Sequence, residues 1–206
     1  MKMVSIIVVS LLSSALCIQS PVFAETAKSK LITDIHGFWA EATLDQWLDS
    51  GWLHGYDDKT VRPDQPVSRG EFISLINRSF QFTQTTPITF NDLKQDEWEY
   101  EEAQKAVKAG YITGYPDHTV HVHEPVSRQE AAIIIARLLG INAASTVGKI
   151  DLLDTGSLPS WSKNAIRAVT EKGIMEGYDD HMFRPTQSIT RAEAVVALDM
   201  ALKARQ

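Results

Sequence analysis

The sequence predicts an all-α fold in which three helix-loop-helix repeats pack as a pseudo-threefold bundle with grooves between neighbouring repeats. Two observations carry this prediction: a set of Trp, Gly-Tyr and Arg positions recurs three times in one register, and apolar residues at helical spacing follow each Trp. A two-helix unit of about 60 residues buries too little surface to be secure alone. We therefore expect the three units to share one core.

The composition is that of an ordinary globular protein. The chain has 206 residues, 44% of them hydrophobic, with 11 Gly, 8 Pro and a single Cys, which excludes collagen-like, disordered and disulfide-stapled classes. A net charge of −6 and the lack of a Lys/Arg run argue against nucleic acid or an anionic membrane as partner, because both require a basic surface. An anionic partner would have to be held by individually placed cations.

Residues 1–24 are typical of a signal peptide. Lys2 is the only charged residue before Glu25, and the segment 3–17 is almost wholly apolar or small. A Val-Phe-Ala sequence ending at Ala24 supplies small residues where a signal peptidase cleaves. We predict cleavage after Ala24 and export of the remaining chain.

A transmembrane anchor is the alternative to a signal peptide at this end of the chain. Gln19, Pro21 and the shortness of the apolar run argue against it, since a membrane span needs roughly 20 apolar residues. Residues 25–31 are predicted to be a short linker. Cleavage also removes Cys17, which excludes cysteine catalysis, Cys-based zinc sites and disulfides from the mature chain.

Three repeats follow. In each, the Tyr of a Gly-Tyr pair lies 17 residues after a Trp, and an Arg in a Ser/Thr-Arg-x-Glu box lies 13 residues after that Tyr. These elements are Trp39, Trp98 and Trp161; Gly55-Tyr56, Gly114-Tyr115 and Gly177-Tyr178; and the boxes 68–71, 127–130 and 190–193. Successive units are offset by 59 and 63 residues, with no insertion between Trp and Arg. We place the repeats at residues 32–82, 88–140 and 149–204.

Each repeat is predicted to form two helices. The first follows the Trp and ends at a Gly (Gly51, Gly110 or Gly173), where a helix end favours a residue that can adopt a left-handed conformation. The second begins at the Ser/Thr-x-x-Glu box. That pattern is a capping box, in which hydroxyl and carboxylate satisfy backbone N–H groups of the first turn.

Capping does not explain the Arg of each box, because a cation in the first turn opposes the helix dipole by a few tenths to about 1 kcal/mol. Two compensating partners remain open: an internal ion pair, or an external anion such as a carboxylate, held bidentately with the helix N–H groups adding to the attraction. The arginines are Arg69, Arg128 and Arg191, and the candidate internal partners are Asp34, Asp92 and Asp154. If the anion is external, Arg191→Ala should weaken binding without unfolding the protein.

Other repeated residues also have two interpretations. The tryptophans are either core residues or platforms for a sugar ring. The acids two residues after each Tyr, which are Asp58, Asp117 and Asp180, are most simply turn formers that bond their own backbone.

Neither a metal site nor an active site is predicted. His118, His121 and His123 form a local cluster, but the other repeats do not reproduce it, so we expect no shared metal site and no cofactor. The sequence also lacks a Gly-x-Ser-x-Gly motif, a phosphate-binding Gly loop and an H-E-x-x-H motif. We therefore expect the protein not to be an enzyme.

The order Asp, Trp, Gly, Gly-Tyr-x-Asp and Thr-Arg-x-Glu, repeated three times behind a signal peptide, closely resembles the surface-layer homology (SLH) domain of bacterial envelope proteins. The third repeat carries the resemblance most clearly, in segments 177–180, 183–185 and 189–193. The resemblance covers residues 32–204. It implies a three-lobed helical module whose inter-repeat grooves bind secondary cell-wall polysaccharide non-covalently.

In that family the box Arg meets a negatively charged sugar substituent, typically a pyruvate ketal. Carried over by position, the implied polysaccharide-binding residues are Arg69, Arg128, Arg191, Asp34, Asp92, Asp154, Gly55, Gly114, Gly177, Trp39, Trp98 and Trp161. The resemblance further implies a secreted protein of the bacterial cell wall or S-layer that serves in cell-surface anchoring.

The sequence departs from the family pattern at several positions. The family usually has Gly after the turn Asp, where this chain has Lys59, His118 and His181; if φ is positive there, each costs about 1 kcal/mol. Segment 119–123 replaces the expected aromatic and Pro in repeat two. With no cargo domain in the sequence, we expect a small wall protein or an adaptor for another chain. The alternative function is a protein-interaction or S-layer assembly module that binds another envelope protein.

Overall fold

A computed structural model describes residues 32–141 and 151–205, so the predicted signal peptide, the linker 25–31 and the segment 142–150 lie outside the described residues. Within those two ranges the chain forms six helices and no strand, which confirms the all-α prediction. The helices are α1 (Glu41–Asp49), α2 (Arg69–Phe80), α3 (Trp98–Ala109), α4 (Arg128–Leu138), α5 (Ser160–Glu171) and α6 (Arg191–Ala204). None of these six is long and apolar enough to cross a membrane.

The capping boxes form at all three predicted positions. In α2 the backbone N–H of Glu71 donates to the Ser68 hydroxyl (3.1 Å), and the Ser68 N–H donates to the Glu71 carboxylate (2.9 Å). The same reciprocal pair starts α4 at Ser127 and α6 at Thr190. The predicted ends of the first helices are confirmed as well, because Gly51, Gly110 and Gly173 all have positive φ at or one residue after the helix cap.

A ring of three backbone hydrogen bonds joins the repeats at the centre of the molecule. The N–H of Val67 donates to the carbonyl of Ile189 (3.1 Å), Ile189 to Val126 (2.9 Å) and Val126 to Val67 (3.1 Å). These residues lie directly before the three boxes. Since each repeat bonds to a different one, the ring closes only when all three are present.

The second helices extend this arrangement, because the first turn of each one donates to a loop of another repeat. In α2 the N–H of Arg69 donates to Glu124 (2.8 Å) and that of Gly70 to Val122 (2.7 Å). Arg128 donates to Gln187 and Arg191 to Gln65 in the same way. The protein therefore already satisfies these N–H groups, which were one possible source of attraction for an external anion.

The outer helices follow the same cyclic order. Helix α3 packs on α2, α5 packs on α4, and α1 packs on α6, so the first repeat closes the bundle against the third. At that closure the buried Trp47 indole of α1 donates to the Asp199 carboxylate of α6 (3.1 Å). One core results, as predicted; its residues include Trp47, Phe72, Tyr111, Ile135, Phe183 and Leu198, each at most 1% exposed.

In the turn after each Gly-Tyr pair, the residue that follows the turn aspartate has positive φ although it is not glycine. Lys59, His118 and His181 have φ of 63°, 63° and 59°. In the third repeat the turn closes with the His181 N–H donating to Tyr178 (2.9 Å) and the Tyr178 N–H donating to Met182 (2.9 Å). The sequence departure therefore carries a conformational cost.

Because φ is positive at these positions, glycine should stabilise the protein more than alanine there, which is the reverse of their order within a helix. At position 181 we expect the His181→Gly variant to be more stable than His181→Ala by about 1 kcal/mol, because only glycine adopts positive φ without steric penalty. Urea denaturation measures the difference. The control is exposed Lys108 in α3, where the Ala variant should exceed the Gly variant by roughly 0.5–1 kcal/mol. Equal stability of the two 181 variants would contradict the strained turn.

Candidate binding grooves

Three grooves lie between the repeats, and each is lined by residues from all three repeats. We name them by their tyrosines. The Tyr56 groove contains Trp98 and Arg191, the Tyr115 groove contains Trp161 and Arg69, and the Tyr178 groove contains Trp39 and Arg128. Their volumes are about 220, 420 and 480 Å³ respectively. The two larger ones fall in the size range of small-ligand sites.

The box arginine forms the floor of each groove and is held inside the protein. Arg128 is only 5% exposed. Its Nε donates to the Phe183 carbonyl (2.7 Å), its Nη2 to the Glu176 carbonyl (2.8 Å) and its Nη1 to the Glu193 carboxylate (3.2 Å). Because all three nitrogens have protein partners, the guanidinium is fixed in one orientation.

Arg191 repeats this arrangement in the Tyr56 groove. It donates to the Val61 carbonyl (2.8 Å), the Glu71 carboxylate (2.9 Å) and the His54 carbonyl (3.3 Å). The ion pair is therefore internal, but its partner is the capping-box Glu of another repeat. Of the two alternatives the internal ion pair is observed for Arg128 and Arg191, with a glutamate in place of the candidate partners Asp34, Asp92 and Asp154.

Each capping-box Glu also accepts a hydrogen bond from the groove tyrosine. Tyr178 donates to Glu193 (2.6 Å) and Tyr56 to Glu71 (3.0 Å). Burial, together with the hydrogen bond to Glu193, raises the pKa of Tyr178 to about 12, so its hydroxyl remains a donor at neutral pH. The Arg128 guanidinium lies 4.7 Å from the centroid of the Tyr178 ring, which adds a cation–π contact. Arg, Glu and Tyr thus form one linked polar unit in each groove.

The Tyr115 groove is the least tightly bonded of the three. The Nη1 of Arg69 is 3.7 Å from Glu130, and its buried Nε has no hydrogen-bond partner among the described residues. Burial opposes the charge on Glu130, but hydrogen bonds from Ser127 and Tyr115 outweigh it and lower its pKa. Glu130 is therefore an anion at neutral pH, with Arg69 only loosely paired to it.

The three predicted aspartates lie outside the grooves and hold the loops that form them. Asp34 accepts from the backbone N–H groups of Val61 (2.8 Å) and Arg62 (2.7 Å). The carbonyl of Val61 is the one that receives Arg191, so the aspartate positions an arginine partner. Asp92 and Asp154 make the equivalent backbone contacts in their repeats. None of the three lines the Tyr56, Tyr115 or Tyr178 groove.

The predicted glycines do line the grooves, and their lack of a side chain is required by packing. A Cβ at Gly55 would lie 2.7 Å from Ile32 Cδ1 and 3.0 Å from the Thr60 carbonyl oxygen. A Cβ at Gly177 would lie 2.5 Å from Leu152 Cδ2, and one at Gly114 would overlap Phe90. The glycines therefore let the loop lie directly against the segment that begins each repeat.

The three predicted tryptophans are surface residues, which makes the core interpretation wrong. Trp39, Trp98 and Trp161 are 63%, 55% and 59% exposed, and each lines a groove. The turn interpretation of Asp58, Asp117 and Asp180 is confirmed, since each accepts from the backbone N–H two residues later.

Sequence reasoning missed a second cation in two grooves. Arg78 lines the Tyr56 groove and Arg137 lines the Tyr115 groove, both at the protein surface. Each lies nine residues after its box Arg, where the third repeat has Met200. The signal was a repeated Arg at one register position in two of three units.

Because the box arginines are buried and hydrogen-bonded, replacing one should destabilise the protein, in contrast to the expectation from sequence that Arg191→Ala leaves it folded. Arg191→Ala should lower the free energy of unfolding by about 2–4 kcal/mol, because it removes a buried donor from the Val61 and His54 carbonyls and the cationic partner from Glu71. Urea denaturation tests this. The control Arg184→Ala, which removes a largely exposed ion pair with Asp180, should cost less than about 1 kcal/mol. An Arg191→Ala variant as stable as the parent would show that the pairing is not structural.

Comparison with known proteins agrees with this geometry. The family model for the S-layer homology domain matches residues 31–73, 89–132 and 154–195, one match for each predicted repeat. The chain is 29% identical over 160 residues to a cellulosome-anchoring protein of Acetivibrio thermocellus, covering 74% of this chain and 35% of that protein. It is 23% identical over 186 residues to the surface-layer 125 kDa protein of Lysinibacillus sphaericus, covering 87% and 15%.

An amylopullulanase of Thermoanaerobacterium thermosulfurigenes is 26% identical over 180 residues, covering 85% of this chain but 10% of the enzyme. The chain thus spans about a third or less of the length of these relatives, and the likeness to the enzyme is confined to its SLH segment. With three matched units that together cover more than half of the sequence, the chain belongs to the S-layer homology domain family.

Proposed function

We propose that this protein binds secondary cell-wall polysaccharide non-covalently through its grooves and thereby anchors at the bacterial cell surface. One observation carries the proposal: every groove combines an exposed Trp with an Arg, a Glu and a Tyr, and these parts come from three different repeats. The anchoring role agrees with relatives that are a cellulosome-anchoring protein and surface-layer proteins. The proposal assigns no reaction to the chain.

The groove chemistry suits a sugar with an acidic substituent. An exposed indole is a flat apolar surface on which the C–H face of a sugar ring can lie, while its edge remains in water. In the Tyr56 and Tyr115 grooves a second arginine, Arg78 or Arg137, lies at the surface where a carboxylate such as a pyruvate ketal could meet it. These are the individually placed cations that a chain of charge −6 needs to hold an anion.

The grooves should differ in strength. The Tyr115 groove has an exposed Arg137, and the Nη1 of Arg69 is only loosely paired with Glu130 at 3.7 Å, so an incoming carboxylate should gain most there. The Tyr178 groove has Met200 in place of the second arginine and should favour a less acidic part of the polymer. Because the polymer can occupy several grooves at once, avidity would exceed the affinity of any single groove.

Export is part of the proposal, since wall binding requires it. Residues 1–24 have the sequence features of a signal peptide, and the mature chain would act in the cell wall or S-layer.

A protein-interaction or S-layer assembly module remains the second candidate. It is favoured by the internal pairing of Arg128 and Arg191, which leaves these two cations satisfied without a ligand. Exposed tryptophans are also common anchors of protein interfaces. In that case the grooves would receive a segment of another envelope protein.

Sedimentation with purified cell-wall sacculi separates the two candidates. We expect the protein to sediment with intact sacculi and to stay in solution after the acid-labile polysaccharide has been extracted. Binding that survives extraction, or that requires an added envelope protein, would contradict the polysaccharide proposal and support the interaction module.

The exposed tryptophans predict a change in binding that is separate from stability. The triple variant Trp39→Ala, Trp98→Ala, Trp161→Ala should lose at least tenfold in affinity for the polysaccharide, because each groove loses its apolar surface. Its free energy of unfolding should change little, since the indoles are more than half exposed. The matched control is Leu153→Ala, an exposed apolar residue outside the three grooves. Unchanged sedimentation of the triple variant would exclude the grooves as the binding surface.

A further inference from the structure

The second repeat contains a cluster that the other two repeats lack. The imidazole of His123 lies between two carboxylates, with Nε2 3.1 Å from Glu97 Oε2 and Nδ1 3.5 Å from Glu99 Oε1. One ligand atom from each of the three residues lies within 4.8 Å of the others. We propose that Glu97, Glu99 and His123 bind a divalent transition-metal ion, with Zn²⁺ as the best match.

A neutral His123 cannot form favourable contacts with both Glu97 and Glu99, so the cluster favours an added positive charge. A neutral imidazole has one N–H donor and one lone pair, whereas a carboxylate only accepts. Each ring nitrogen of His123 has a carboxylate oxygen beside it. In a neutral ring, the nitrogen without a proton therefore directs its lone pair at a carboxylate oxygen, which is repulsive. A second proton on the ring would remove that conflict but leave the cluster with one net negative charge. A dication bound to the neutral ring neutralises both carboxylates.

The burial of Glu99 strengthens the case, because a buried carboxylate is costly unless a cation is near. Glu99 is 6% exposed, and among the described residues His123 is the side chain that can carry a positive charge beside it. The Glu99 side chain fits here because residue 70 of the first repeat is glycine. An added Cβ at Gly70 would lie 2.7 Å from Glu99 Cγ. The other repeats have Gln129 and Ala192 at that position.

The three proposed ligands occur only in the second repeat, and they lie close together in the fold. The positions of Glu97, Glu99 and His123 are occupied by Phe38, Ala40 and Asp64 in the first repeat and by Ser160, Ser162 and Thr186 in the third. The expectation of no metal site rests on the histidines alone, and one of these, His121, instead contacts Thr119 and Glu124. The glutamates supply the missing donors.

The donor set selects the metal. Imidazole and carboxylate oxygens are ordinary ligands of Zn²⁺ at about 2.0–2.2 Å, with water completing the coordination shell, whereas Mg²⁺ prefers oxygen ligands and binds imidazole poorly. The ligand atoms must approach one another slightly from their present spacing. The His123 side chain is 60% exposed and is free to make this adjustment.

The site would join the loop of the second repeat to the start of α3. Residues on both sides of His123 accept the first-turn N–H groups of α2, at Val122 and Glu124. A bound ion would therefore hold the loop in the position that the contact between repeats one and two requires. Because the ion binds only the folded protein, it should raise stability as its concentration rises above Kd.

Titration of the purified protein with Zn²⁺ by calorimetry, together with thermal unfolding, tests the proposal. We expect saturable binding at one Zn²⁺ per cluster and a higher Tm, neither of which Mg²⁺ reproduces. His123→Thr, which installs the residue found in the third repeat, should abolish this binding, and Glu97→Gln should weaken it at least tenfold. The control His181→Lys, which installs the residue of the first repeat, should bind Zn²⁺ as the parent does.

Three results would overturn the proposal: no saturable Zn²⁺ binding, equal binding by the His123→Thr variant, or equal binding of Mg²⁺. The first would mean that the three side chains contact one another without binding a metal ion. The last would mean that the carboxylates act as a general acidic surface. Circular dichroism of Glu97→Gln verifies folding independently, since the Glu97 side chain is partly exposed at the helix start.

Discussion

The structure depends on one constraint: the second helix of each repeat begins against a loop of another repeat. The ring through Val67, Val126 and Ile189 and the first-turn bonds of α2, α4 and α6 are all contacts between repeats. A helix start carries unsatisfied N–H groups that must find acceptors when buried. A single repeat supplies only its capping box, so the remaining acceptors come from its neighbours. The pseudo-threefold arrangement follows from this requirement.

The same constraint creates the grooves. The packing of α4 on the loop of the third repeat brings Arg128 to Glu193 and under Tyr178, and the turn before α1 adds Trp39 to the rim. Buried ion pairs often contribute little net stability because of desolvation, but they are costly to break. Here they also fix the charge and shape of the groove floor. Under the proposed function the paired residues shape the groove, and the exposed groups, which are the tryptophans with Arg78 and Arg137, would contact the ligand.

Local features of the fold could be predicted from sequence because local chemistry determines them. Capping boxes and helix-ending glycines each depend on a few adjacent residues. Partners between repeats could not be predicted, since periodicity does not say which repeat a side chain faces. The sequence identifies Glu71 as a cap but not as the partner of Arg191, and it offers Asp34 as an ion-pair or ligand candidate without indicating that it holds a loop. Residues that differ between the repeats, such as Glu99 and Gly70, can be related to one another only when the fold shows that they are in contact.

If contacts between repeats govern the structure, the three repeats must unfold as one unit. Native-state hydrogen exchange of backbone amides, followed residue by residue, measures this directly. The account predicts that the slowest amides of α2, α4 and α6 exchange with the same free energy, equal to that of global unfolding. A repeat that exchanges independently, at a distinctly lower free energy, would contradict it, because the grooves could then form without all three repeats.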